Sequence, residues 1–245
     1  MSAFGLIGTP LTHSFSKRYF EEKFKQLGLY TSTYNLFDIA LEADLKVFKE
    51  RNTQLTGLNV TIPYKRSVLP LLEEISDEAR AVGAVNTIKI VNGYWYGYNT
   101  DVWGFELSLK KWLSQMPKST VVLGNGGASK AVQYVLNKMN LPYVVVSRNP
   151  HGLEISYAEL NESVMANSQL LLNTTPLGMY PNIDKMPDVN TNLFSNKLFV
   201  YDLIYNPEET LLLKEAKNKG CSTKNGLEML HLQAEKSWEI WTGRE

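Results

Sequence analysis

STVVLGNGGASKAVQYVLNKMN (residues 119–140) opens on a β-branched apolar run, turns through Gly124, Asn125, Gly126 and Gly127, and continues as an amphipathic stretch with helical spacing. Glycines let a backbone turn tightly and come close to a pyrophosphate, and a helix that follows offers free N–H groups and the positive end of its dipole. The segment therefore predicts a strand–turn–helix unit of the dinucleotide-binding kind, its helix beginning near Ala128. A tight strand-to-helix connection without a ligand is the plainer alternative for the same residues. Working toward the C-terminus, PYVVVSR (142–148), QLLLNTT (169–175) and KLFVYDLI (197–204) read as three more strands, which makes this half of the chain α/β.

Working toward the N-terminus, short apolar runs again alternate with amphipathic stretches, the pattern of βαβ units and a largely parallel sheet. AFGLIG (3–8), STYNLFDI (32–39) and TGLNVTI (56–62) read as strands, with SKRYFEEKFKQLG (16–28) and ADLKVFKER (43–51) as the helices between them. VNTIKIV and YWYGY flank Asn92-Gly93, a strong hairpin signal. In VWGFELSLKKWLSQM (102–116), Trp103, Leu107, Leu109, Trp112 and Leu113 fall near one face and predict a connecting helix. The last helix, in NGLEMLHLQAEKSWEIW (225–241), carries Leu227, Leu230, Ala234, Trp238 and Trp241 on one stripe and needs a surface to cover.

The 245 residues can bury one large core or two small ones, and 44% hydrophobic against 20% charged residues is a globular composition. Lys plus Arg and Asp plus Glu are balanced at 25 each, so no positive field favours nucleic acid or an acidic membrane surface. MSAFGLIGTPLTHSFS lacks the basic-then-apolar layout of an export signal, and no run reaches a membrane span, so a soluble cytoplasmic protein is expected. Cys221 is the sole cysteine, which excludes an internal disulfide and fits a reducing compartment. His13, His151 and His231 are far apart without metal-ligand spacing, so no metal is expected.

Several short segments place chemistry-bearing residues where an open α/β sheet puts its ligands. GLNVTIPYK (57–65) sets Asn59, Thr61 and Lys65 at a strand end and in the turn after it. Lysine is ordinarily a solvated surface charge; held in a cleft, it can exchange a proton with a reacting alcohol. YNTDVWGF (98–105) offers Asn99 and Asp101 just before a helix, where Asp101 reads as an N-cap or an acid of the site. Asn86 in GAVNT is a turn residue or a ligand contact, and Ser14 and Ser16 precede a helix as caps or as a carboxylate seat. About 20 residues beyond the glycine turn, where an NAD-binding unit carries an acid for the ribose, stands Arg148, which suits the 2′-phosphate of NADP.

Taken in order, GTPLTHSFS (8–16), GLNVTIPYK (57–65), GAVNT (83–87), YNTD and WGF (98–105), GNGGASKA (124–131), NTTPLGM (173–179), DLIYNPEET (202–210) and NGLEMLHLQA (225–234) resemble the shikimate dehydrogenase family. The resemblance implies two domains: residues 1–101 with 225–245 as an α/β substrate-binding domain to which the C-terminal helix returns, and 102–224 as a Rossmann-like NADP-binding domain. It implies Lys65 and Asp101 as the catalytic pair, Ser14 and Ser16 at the substrate carboxylate, Thr61, Asn86, Asp101 and Gln233 at its ring hydroxyls, and Asn59 and Tyr205 in the same pocket. It implies Gly124, Asn125, Gly126, Gly127 and Ala128 at the pyrophosphate, and Ser147, Arg148 and Asn149 at the 2′-phosphate. Thr174, Leu203, Gly226 and Met229 would surround the nicotinamide half, with Asp77 at its edge. The chain departs from the family pattern in GNGGA for GAGGA, in SRN for NRT, and in Lys17, Tyr19 and Phe20 where Pro, His and Asn are typical.

The implied reaction is the reversible NADPH-linked reduction of 3-dehydroshikimate to shikimate, by a monomer or homodimer. A quinate/shikimate dehydrogenase preferring NAD is the nearest rival, and a non-catalytic ligand-binding homologue the rival from another class. The latter is disfavoured by the presence of both Lys65 and Asp101. A methylene-tetrahydrofolate dehydrogenase-like enzyme shares the two-lobe layout, but the HSFS and NTD segments do not suit a folate pocket.

Overall fold

The computed structural model describes residues 2–11 and 14–243; Thr12 and His13, inside the GTPLTHSFS segment, lie outside the described residues. The chain forms two compact units, one of Met1–Thr100 with Ala234–Glu245 and one of Asp101–Gln233. In the first unit, β1 (Ala3–Gly8), α1 (Phe15–Gln26), β2 (Thr33–Asp38), α2 (Asp44–Arg51) and β3 (Gly57–Val60) follow one another, then β4 (Glu74–Ile75), α3 (Asp77–Val82), β5 (Thr87–Val91) and β6 (Tyr94–Tyr98). The sheet order is β2-β1-β3-β5-β6-β4. β1 pairs in parallel with β2 and β3, while β5 runs antiparallel to both β3 and β6. Asn92 and Gly93, both at positive φ, make the turn between β5 and β6, as the Asn-Gly pair predicts.

α4 (Thr100–Trp112) leads into the second unit, which holds β7 (Thr120–Leu123), α5 (Gly127–Lys138), β8 (Tyr143–Ser147), β9 (Ile155–Ser156), α6 (Glu162–Ala166), β10 (Leu170–Asn173), β11 (Phe199–Asp202), α7 (Leu211–Asn218) and β12 (Ser222–Lys224). Its sheet is parallel throughout, with the order β12-β11-β10-β7-β8-β9. Numbered from the glycine-turn strand β7, this is the doubly wound order 3-2-1-4-5-6, whose ligand crevice lies at the carboxyl ends of the strands where the order reverses, here between β7 and β10. β7 and β10 are buried at every residue, which explains why they read as unbroken apolar runs.

α8 (Leu227–Thr242) starts in the second unit and ends in the first. Its Ala234, Trp238, Ile240 and Trp241 join Phe4, Phe20, Phe24 and Tyr34 in one buried cluster. Trp241 stacks on Phe4 with ring centroids 4.9 Å apart, and its Nε1 donates to the Ile88 carbonyl at 2.9 Å. A Cβ on Gly57 would come within 2.3 Å of the Trp241 ring, so β3 begins with the one residue that lets the indole lie against its backbone.

Two details of the helices differ from the sequence reading. Asp101 is the second residue of α4 and not its N-cap; its charge sits in the first turn, where it complements the helix dipole. Trp103 is 43% exposed and Leu227 37% exposed, so neither lies on a buried stripe. Leu109 and, just past the helix end, Leu113 are buried as the stripe expects, but the buried face of α4 also runs through Val102, Phe105 and Ser108, with Gly104, where a Cβ would meet the Met229 carbonyl at 2.7 Å. A small residue that permits close approach sets this face, and an apolar-periodicity reading gives such residues no weight.

Candidate active site

On the nucleotide side, the glycine turn follows from its contacts. Gly124 has φ of +96°, and a Cβ there would lie 2.9 Å from Thr175 Cγ2 and 3.0 Å from Thr174 Oγ1. The β7 turn is thus pressed against the residues that follow β10, at the reversal of strand order. Thr174 Oγ1 in turn donates to the Leu123 carbonyl at 2.6 Å. Gly126, Gly127 and Ala128 are exposed, and a Cβ at either glycine would meet nothing within 4 Å. The N-terminus of α5 has no side-chain cap and no acid in its first turn. By contrast, Ser14 caps α1, Ser76 caps α3, Asn161 caps α6 and Thr210 caps α7. A twelve-residue helix that leaves its first N–H groups without a side-chain acceptor, beside open glycines, fits an anion such as a pyrophosphate.

Of the other residues expected at the nucleotide, Ser147, Arg148 and Leu203 fall at strand ends of the same sheet. Ser147 closes β8 and is buried, while Arg148 and Asn149 follow it and are exposed. Leu203 follows β11 and meets Gly226, where a Cβ would stand 2.0 Å from the Leu203 carbonyl oxygen. Met229 lies on α8 with its carbonyl against Gly104. Asp77 is exposed in the first turn of α3, in the first unit.

Of the residues expected to meet substrate, Asn59 lies in β3 and Thr61 directly follows its carboxyl end. Asn59 is 6% exposed; it accepts from the Tyr34 hydroxyl at 2.7 Å and donates to Ser237 Oγ at 3.1 Å and Thr87 Oγ1 at 3.3 Å. Tyr34 also hydrogen-bonds the Ser16 hydroxyl, and burial pushes its phenol well above the ordinary range, so it stays neutral. Ser14 Oγ accepts from the Lys17 N–H at 3.2 Å as the cap of α1. Thr61 is half-buried and its hydroxyl has no hydrogen-bond partner among the described residues.

Lys65 is half-buried in the turn after β3. Its carbonyl accepts from the Val85 N–H at 2.8 Å, which ties this turn to GAVNT. The next residue, Asn86, is 4% exposed; its Oδ1 accepts from the Thr100 N–H at 2.7 Å and from the Thr100 hydroxyl at 3.2 Å. Its Nδ2 has no acceptor among the described residues. Asn99 Nδ2 donates to the Ala84 carbonyl at 2.9 Å, and Asp101 is the residue after Thr100. Three segments distant in sequence are thus laced together by hydrogen bonds to backbone. In the second unit, Gln233 is buried and donates to the Leu230 carbonyl at 2.9 Å, and Tyr205 is 38% exposed, its phenol raised by burial.

Three residues near these sites were not singled out by sequence reading. Asp202, fully buried at the end of β11, accepts from Asn173 Nδ2 (3.0 Å), the Ile204 N–H (3.0 Å) and Thr210 Oγ1 (2.7 Å). It ties the loops after β10 and β11 to the cap of α7. Burial pushes its carboxyl up to about 6 against the pull of these bonds. Ser237 joins Asn59, Thr87 and Thr100 from α8, and Glu154 reaches the glycine turn. None of the three has a spacing signal, because each acts across elements that only the fold brings together. No group of three or more His, Cys, Asp or Glu that could hold a metal, and no helix long and apolar enough to cross a membrane, occurs among the described residues.

Residues 6–88 match the family described as the shikimate dehydrogenase substrate binding domain. The chain is 41% identical to the NADP+ shikimate dehydrogenase of Methanococcus aeolicus over 98% of its own length and 91% of that protein's. Among solved structures, a shikimate dehydrogenase in complex with NADP+ superposes with a TM-score of 0.89 at 36% identity, covering 99% of this chain and 90% of that one. The enzyme from Thermus thermophilus, in complex with NADP(H) and shikimate, gives a TM-score of 0.89 at 32% identity, covering 99% and 94% of the two chains. With the doubly wound second sheet, the uncapped α5 and the Lys65–Asn86–Thr100 lacing in place, this chain belongs to the shikimate dehydrogenase family.

Proposed function

We propose that the chain is an NADP-dependent shikimate dehydrogenase that works in the cytoplasm. It reversibly reduces 3-dehydroshikimate to shikimate on the way to chorismate and the aromatic amino acids. The observation that carries the reading is identity of 41% to an enzyme of that name across 98% of the chain. The uncapped N-terminus of α5 beside two open glycines supports a pyrophosphate-containing cofactor there.

In this reading Gly124, Asn125, Gly126, Gly127 and Ala128 hold the pyrophosphate. Ser147, Arg148 and Asn149 meet the 2′-phosphate, and Thr174, Leu203, Gly226 and Met229 surround the nicotinamide, with Asp77 at the edge. Ser14 and Ser16 hold the substrate carboxylate, and Thr61, Asn86, Asp101 and Gln233 its ring hydroxyls, with Tyr205 lining the pocket. The Thr61 hydroxyl and Asn86 Nδ2, which have no hydrogen-bond partner among the described residues, support these assignments, because polar groups near a binding site are satisfied by the ligand when protein does not do it. Asn59 belongs to the same wall and fixes it through Tyr34, Thr87 and Ser237. Bound NADPH supplies the hydride. Lys65 gives a proton to the ring oxygen in the reducing direction and takes it back in the oxidising one, with the Asp101 carboxylate orienting both the ammonium and the alcohol.

The test follows reduced-nicotinamide absorbance with purified protein, shikimate and NADP+, repeated with NAD+ and with quinate. Reduction with shikimate and NADP+ is expected to be fastest. A preference for quinate would move the chain to the quinate/shikimate branch, and no reduction by folded protein with any pair would refute the enzymatic reading.

A further inference from the structure

A carboxylate sits on hydrogen-bond donors at the nucleotide end of the second sheet. One oxygen of Glu154, Oε2, accepts from Asn125 Nδ2 at 3.1 Å, from Ser147 Oγ at 3.0 Å and from the His151 N–H at 3.1 Å. Asn125 belongs to the glycine turn between β7 and α5, and Ser147 is the last residue of β8. Three donors from the turn, the strand end and the following loop thus converge on one anionic oxygen. Partial burial pushes the Glu154 carboxyl up, but the bonds from His151, Ser147 and Asn125 outweigh it and hold the group below the usual carboxylate range. Arg148, next after Ser147, is exposed and acts on Tyr157, on which Asp188 acts with the opposite sign.

In doubly wound nucleotide-binding units, the end of the second strand discriminates between the two cofactors. An acid there takes the ribose 2′-hydroxyl of NAD, and an arginine takes the 2′-phosphate of NADP. This chain carries both kinds of group at that place, and the acid already occupies the neutral donors. Resting on the assignment of a nicotinamide cofactor to this site, we infer that Glu154 is a specificity-determining residue. Its carboxylate takes the seat that a 2′-phosphate would use, and so weakens NADP relative to NAD. A dianionic phosphate must either displace Glu154 from Asn125, Ser147 and His151 or lie against a like charge, and both options cost binding energy. A ribose hydroxyl meets no such opposition, since it can donate to the carboxylate. Arg148 supplies the opposing attraction, and the balance of the two sets the preference.

The experiment measures equilibrium binding of NADP+, NAD+, 2′,5′-ADP and 5′-AMP to the full chain and to Glu154→Gln and Glu154→Ala, by calorimetry, without turnover. Glu154 is a half-exposed loop residue, so two variants that both lose the charge guard against a local folding defect in one. Each should raise the ratio of NADP+ to NAD+ affinity about tenfold or more, and 2′,5′-ADP should gain in step while 5′-AMP does not. A ratio that stays put or falls in both variants, with wild-type protein binding nicotinamide nucleotides, would overturn the role of Glu154 and leave the function intact. Failure of the wild type to bind either cofactor would refute both.

Discussion

Lys65, in the turn after β3, and Asp202, the last residue of β11, are ionisable residues set at strand ends. Lys65 is placed by its backbone, whose carbonyl takes the Val85 N–H, so truncating the side chain leaves that tie untouched. Lys65→Ala should lower kcat by about a hundred- to ten-thousand-fold while KM for shikimate moves much less, because the proton is transferred in the transition state. Near-normal turnover would remove Lys65 from the mechanism. Asp202 is a buried carboxyl whose folded value is about 6 against an ordinary 3.8. Well below pH 3.8 it is protonated in both folded and unfolded chains; as pH rises toward 6, the unfolded chain loses this proton first. The native state then binds more protons, so this residue's contribution to stability falls through that window and stays lower above it, by about 3 kcal/mol for a shift of about two units. Asp202→Asn cannot ionise, so thermal melts from pH 4 to 7.5 should show the variant gaining on the wild type between about 4 and 6. A constant difference across that range would mean that Asp202 does not titrate there.

At the scale of elements, the glycine turn and α5 join sequence to function most directly. GNGG was readable as a strand-to-helix turn because its geometry is local: a strand, a φ only glycine accepts at Gly124, and a helix end without a side-chain cap. α7 was missed although Thr210 caps it ahead of LLLKEAKN, since three successive leucines do not spell out a helical face. β4, with two residues, and β9, with two, carry no periodicity at all. The α4 face is only partly legible, through Leu109 and Leu113, because Gly104 and Ser108, which allow close approach, count for nothing in an apolar stripe. The same local logic yields a test of α5. Gly126 is the N-cap, its φ of −76° suits any residue, and a Cβ there meets nothing within 4 Å. Gly126→Asp supplies the missing cap, which should leave Tm unchanged or raise the stability by a few tenths of a kcal/mol. It also places a carboxylate at the pyrophosphate seat, so NADP+ and NAD+ should both lose affinity by about tenfold or more. Unchanged binding of both would move the pyrophosphate elsewhere. This common loss is distinct from the change of ratio expected at Glu154.

For the molecule as a whole, the sequence is legible wherever an element's pattern answers to its own neighbours, and silent where residues far apart in the chain complete one core. The stripe of α8 announced that the helix must cover something, yet nothing in its periodicity names the surface, which is the aromatic cluster of residues 4 to 34. The site shares this property: Asn59 and Thr87 reach their full set of hydrogen bonds only when Ser237 arrives from α8. The first hundred residues therefore cannot finish their core, or the wall that carries Asn59, until the end of the chain is in place. Trp241 is the sharpest probe of that dependence, because its ring lies on Phe4 and on the bare backbone of Gly57 while its Nε1 satisfies the Ile88 carbonyl. Trp241→Ala opens a cavity beside a glycine that cannot fill it and removes a donor from a buried carbonyl, so urea unfolding should show a loss of about 3–5 kcal/mol. Hydrogen exchange should locate the damage in β1, β3 and β5, of which Ile88 in β5 is 153 residues away in sequence, with β7 and β10 protected as before. Uniform deprotection of both sheets would show instead that the two units unfold as one, and a loss under about 1 kcal/mol would mean that the core of the first unit closes without the C-terminal helix.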